Sequence, residues 1–67
     1  MVDSPETIEM ARKIAQELKG KELTLGNLKR NLGEKSYNRV AWILNYATYR
    51  YPIYETEESP TRYGILD

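Results

Sequence analysis

Apolar residues recur along this chain at helical spacing as far as Ala47, and past Pro52 they alternate with other residues at period two. Ile8, Ala11, Ile14, Ala15 and Leu18 trace the first apolar arc, which predicts a helix opened by Asp3-Ser4-Pro5-Glu6 and closed at Lys19-Gly20. Ser4 is placed to cap the orphan amides, Pro5 suits the first helical position, and Glu6 and Glu9 favour the positive end of the dipole. Outside the arc, Glu9 and Lys13 are expected to pair across one turn. Leu23 then falls in a short extended segment, and Thr24 is placed to cap a second helix whose buried side carries Leu25, Leu28 and Leu32. Gly33 closes that helix, leaving Gly33-Glu34-Lys35 as a tight connection to Ser36.

The stretch Ser36–Arg50, capped by Ser36, predicts a third helix with two distinct faces. At about 100° per residue, Val40, Ile43, Leu44 and Ala47 fall on one side, and Tyr51 would extend it. Opposite lie Asn38, Trp42, Asn45 and Tyr49, with Arg39, Tyr46 and Arg50 along one flank. The first side anchors the helix. The second presents amides, rings and guanidinium groups, which suits a nucleic-acid groove or another protein.

Pro52 ends this helix, because proline cannot continue the ladder and pushes the preceding residue out of the helical region. Alternation from Tyr51 to Glu57, turn chemistry at Ser59-Pro60-Thr61 and period two through Tyr63 and Ile65 predict a β-hairpin with an acidic outer surface. Tyr51, Tyr54 and Tyr63 are expected to pack together as a second small core. Glu55 and Glu57 would share a face, as the charged edge of a strand.

Sixty-seven residues make one domain, 1–67, and a domain of this size buries only about 60% of the surface its unfolded chain exposes. Cysteine and histidine are both absent, which removes disulfides, thiolate nucleophiles, imidazole bases and ordinary zinc sites. With no pocket partner for the glutamates at 55, 57 and 58, the chain is expected to be no enzyme and to use no metal or cofactor. The polar N-terminus and the lack of a long apolar run predict a cytoplasmic protein without a membrane span, associated with the nucleoid if the source is prokaryotic. The formal net charge is zero, yet the cations Lys29, Arg30, Lys35, Arg39 and Arg50 lie in one segment with Glu34 alone against them. From Tyr51 onward the balance is acidic, with Arg62 against Glu55, Glu57, Glu58 and Asp67.

The order helix, short strand, helix, tight turn, helix, hairpin resembles the winged helix-turn-helix domain. The resemblance covers essentially the whole chain, and its best local match is LTLGNLKRNLGEKSYNRVAWIL, Leu23 to Leu44, with YPIYETEESPTRYGILD standing where the wing would be. It implies an α+β fold of three helices followed by a C-terminal β-hairpin wing, binding double-stranded DNA as a small transcriptional regulator. The third helix would enter the major groove, bringing Ser36, Tyr37, Asn38, Arg39, Trp42 and Asn45 to the DNA, with Arg62 approaching phosphate from the wing. Asn38 or Asn45 would pair with adenine and Arg39 with guanine or phosphate, while Lys29, Arg30 and Lys35 position the backbone. A homodimer through Trp42, Tyr46 and Tyr49 goes with that reading. The rival is a winged-helix module that holds a protein on the exposed aromatic face of the third helix.

Overall fold

Each helix begins on a hydroxyl that accepts a backbone amide three residues on, so the helix starts are written into the local sequence. The computed structural model describes residues 4–66; Asp3 and Asp67, named above in the first helix start and the acidic tail, lie outside the described residues. Helix α1 spans Pro5–Glu17 behind Ser4, whose Oγ accepts from the Thr7 amide. Strand β1 is Leu23–Thr24, and Thr24 also caps α2, Leu25–Leu32. Thr24 and Asn27 form a reciprocal box, each side chain accepting from the other's backbone amide. At the far end Gly33 takes a left-handed φ of 70°, its amide donating to Arg30 O and that of Glu34 to Lys29 O. These two bonds close the helix and turn the chain sharply, which a residue with a Cβ does at a cost.

Ser36 caps α3, Tyr37–Thr48. The helix stops short of the expected Arg50, with Tyr49 as its C-cap. Pro52 forbids helical backbone at Tyr51, and the Arg50 and Tyr51 amides both turn back to Ala47 O. Strand β2, Ile53–Glu55, and strand β3, Arg62–Ile65, make the hairpin, extended by bonds from Leu66 N to Pro52 O and from Thr56 N to Arg62 O. The connecting loop contains a cis Ser59–Pro60 peptide and is tied by Thr56 Oγ1, which accepts from the Arg62 amide.

The hairpin does not stand alone. β1 pairs antiparallel with β3, Leu23 opposite Tyr63 and Thr24 opposite Arg62, giving a three-stranded sheet in the order β1-β3-β2. The molecule is thus a small α+β arrangement of three helices and one antiparallel sheet, a layout consistent with a winged helix.

The core lies where the three helices meet: Ala11, Ile14 and Leu18 from α1, Leu28 from α2, and Val40, Ile43, Leu44 and Ala47 from α3. Ile53, Tyr63 and Ile65 on one sheet face close it from below. Tyr46 and Tyr51 pack against the same cluster. The expected second aromatic core does not form, because the strand alternation sends Tyr54 to the opposite sheet face from Tyr63. There the Tyr54 ring occupies the space above its cross-strand partner Gly64, where any Cβ would overlap it, and its hydroxyl donates to Glu22 at 2.7 Å. On α1, Glu9 pairs with Arg12 in place of Lys13, and that guanidinium holds the Glu9 carboxyl below its ordinary range.

Candidate functional site

Burial of Val40, Ile43, Leu44 and Ala47 leaves the opposite side of α3 to solvent, so Asn38, Trp42, Asn45 and Tyr49 all stand exposed as the periodicity predicts. Trp42 is 44% accessible and Tyr49 83%, an unusual outlay of aromatic surface for a domain this small. Tyr46, expected on the same exposed flank, is instead half-buried against the core, which leaves Tyr37, Trp42 and Tyr49 as the exposed rings of α3.

The four asparagines divide into two pairs. Asn27 serves the α2 cap, and Asn31 donates from Nδ2 to Glu17 across to α1. Among the described residues the side-chain amides of Asn38 and Asn45 make no hydrogen bond; the sole local contact at Asn45 uses its backbone carbonyl, which accepts from Thr48 Oγ1. Both amides are therefore free to meet an external donor–acceptor pair.

The cations expected to meet phosphate stand in different circumstances. Arg39 reaches Glu6 at 3.0 Å and Glu34 at 3.3 Å, tying the start of α3 to the start of α1 and to the α2–α3 turn. Arg62 lies 3.3 Å from Glu58 across the hairpin loop. Lys29 sits over the Tyr37 ring, 5.0 Å from its centroid, so that α2 and the start of α3 share one basic, aromatic corner. Arg50 stands 5.9 Å over the Tyr46 ring. Among the described residues Arg30 and Lys35 enter no ion pair, and both are exposed beside the turn. Ser36 is exposed as well, but its hydroxyl is spent on the Arg39 amide, which makes it a structural cap.

Two shallow depressions flank the exposed face of α3. Asn38, Arg39 and Trp42 line the one on the side of α1. The other runs between α3 and the sheet, where Ala41, Asn45 and Thr48 meet Leu25, Glu55 and Tyr63. Ala41, Thr48 and Glu55 were not among the site residues read from the sequence. For Glu55 the expectation of an outer acidic face is corrected: it follows Ile53 at period two, and Ile53 faces the core, so Glu55 points towards α3, while Glu57 lies beyond the strand. Strand alternation carries that signal, but only once the buried side of the hairpin is known.

Among the described residues no three His, Cys, Asp or Glu side chains gather where they would hold a metal ion. No helix among them is long and apolar enough to cross a membrane. Protein-family models, curated proteins and solved structures all yielded no match to this chain.

Proposed function

We propose that this is a winged helix-turn-helix protein that binds double-stranded DNA through α3 in the major groove and acts as a small transcriptional regulator, the β2–β3 hairpin being its wing. The observation that carries the reading is the exposed face of α3: two unengaged amides and a tryptophan project from a rigidly anchored helix, beside a corner holding Lys29, Arg30 and Lys35. The strand order and the tight turn between α2 and α3 support the fold assignment. Arg39 and Arg62 are not lost to the site. Glu6 and Glu58 are exposed, and exchange of an exposed carboxylate for phosphate costs little, while Arg39 keeps its second, half-buried partner Glu34.

A second reading keeps the fold and replaces DNA by a protein docked on Trp42 and Tyr49. What favours it is the exposure of those two rings together with the wing's Glu57 and Glu58, which would repel phosphate.

Titration against a random-sequence duplex at two salt concentrations separates the readings. DNA binding should weaken with salt, and replacing Lys29, Arg30 and Lys35 by Gln should flatten the slope of log affinity against log salt by about 0.9 per lost phosphate contact. A chain that binds no duplex at low salt removes DNA binding and leaves the interaction module.

A further inference from the structure

We infer that the outer edge of β2 takes up an extended peptide strand of another protein, one carrying a Lys or Arg opposite Glu55 and an apolar residue opposite Ile53; this stands apart from the DNA-binding reading. The strand order leaves β2 at one side of the sheet, with β3 on its inner side only. Bonds from Leu66 N to Pro52 O and from Thr56 N to Arg62 O fix which residues of the hairpin exchange bonds. By antiparallel alternation the amides and carbonyls of Ile53 and Glu55 then point away from β3. The Ile53 amide is spent on Tyr51 O at 2.8 Å. The Ile53 carbonyl and both main-chain groups of Glu55 have no partner among the described residues, and their spacing suits one further antiparallel strand.

The side chains say what that strand must carry. Residues opposite Ile53 and Glu55 share their sheet face, which looks into the groove between α3 and the hairpin. That groove encloses about 300 Å³, with Asn45 and Thr48 on its helix wall and Ile53, Glu55 and Tyr63 on its sheet wall, so an incoming side chain has room. Among the described residues the exposed Glu55 carboxylate meets no cation, whereas Glu6, Glu9, Glu34 and Glu58 are all paired with arginines. An unpaired carboxylate beside the open Asn45 amide and the Tyr63 ring is complementary to an ammonium or guanidinium group. Half-buried Ile53 asks instead for an apolar neighbour. A second copy of this chain does not fit, because two β2 edges set together would bring their acidic residues 55 and 57 against each other.

The probe is a peptide blocked at both ends, Thr-Val-Thr-Lys-Thr-Val-Thr, which sets Val, Lys and Val on one face of a strand. Titrated into the isotope-labelled whole chain, it should give saturable amide shifts centred on residues 53–56 and slow hydrogen exchange at the Glu55 amide. It should bind about 2- to 5-fold more tightly than the same peptide with Glu in place of Lys. Glu55→Lys should reverse that preference, and because residue 55 is exposed the rest of the spectrum should match the parent. The parent's choice between the two peptides is read without any variant. No shifts at millimolar peptide, shifts centred on Trp42 and Tyr49, equal affinity for the two peptides, or a preference that Glu55→Lys leaves unchanged would each overturn the proposal. So would a Glu55 signal that moves with protein concentration alone, which makes a second copy the occupant. Duplex titration of the same chain reports on DNA binding separately.

Discussion

The Tyr54 ring stands in the space that a side chain on Gly64 would need, and it reaches across β3 to bond Glu22 beside β1. One aromatic residue thereby ties β2, across β3, to the residue that precedes β1. Gly64→Ala must push the ring away or strain the sheet, and is expected to cost about 1–3 kcal/mol. Adding Tyr54→Ala should relieve much of that, so that the pair costs less than the sum of its parts. Urea melts of the four chains give the answer; strictly additive costs would show that ring and glycine do not share the space.

The same phenol makes stability depend on alkaline pH. Its pKa is raised, first by the hydrogen bond to Glu22, then by loss of solvent and by the negative charge of Glu22. A raised pKa means that the fold favours the neutral phenol over its unfolded value of about 10. The contribution is complete below that value and is lost as pH rises through the higher folded pKa. As pH rises above the ordinary phenol value of about 10, the parent should therefore lose urea resistance more steeply than Tyr54→Phe. Parallel curves would show that the bond to Glu22 is not made in solution.

Leu28 and Leu44 are the central anchors of α2 and α3 in the core, and both are buried. Truncating either to Ala should cost about 2–5 kcal/mol. Since small domains hold only ~0.05–0.15 kcal/mol per residue, that is about half of what a fold of this size has. Thermal melts of both variants check the helix faces, and melting points within a few degrees of the parent would contradict them.

These faces were readable in advance because the determinants are local. Ser4, Thr24 and Ser36 sit next to the turns they cap, and Val40, Ile43, Leu44 and Ala47 declare their side of α3 by spacing alone. What escaped is what depends on distant partners. Arg39 reads as a free guanidinium until the fold brings Glu6, thirty-three residues away, within 3.0 Å. Tyr46 reads as exposed on a helical wheel, which says nothing of how widely neighbouring elements cover the helix. Tyr54 gave no sign of its place because its counterpart is an absence, the missing side chain of Gly64.

Trp42 is the residue at which the two functional readings part. With α3 in the major groove, added duplex should quench or shift its fluorescence, and Trp42→Ala should leave the chain's mass in sedimentation unchanged. If Trp42 and Tyr49 hold a second protein chain instead, emission should follow protein concentration and ignore DNA. Trp42→Ala would then give a monomer, since losing such an anchor commonly costs at least ~2 kcal/mol of association. A monomeric variant that binds DNA with parental preference would take Trp42 off the readout surface.

Among the described residues, the central strand of the sheet follows both of its neighbours in sequence. Because β3 pairs with β1 on one side and β2 on the other, neither earlier strand has any partner until residues 62–65 are present. During synthesis the three helices can assemble once Ala47 has emerged, because their shared buried core is then present. Leu23, Ile53 and the underside of the helical core stay without their sheet partner until residues 62–65 have emerged. Synthesis therefore sets the order of assembly, helices first and sheet last, and a nascent chain that has not yet presented residues 62–65 carries two unpaired strands open to stray association.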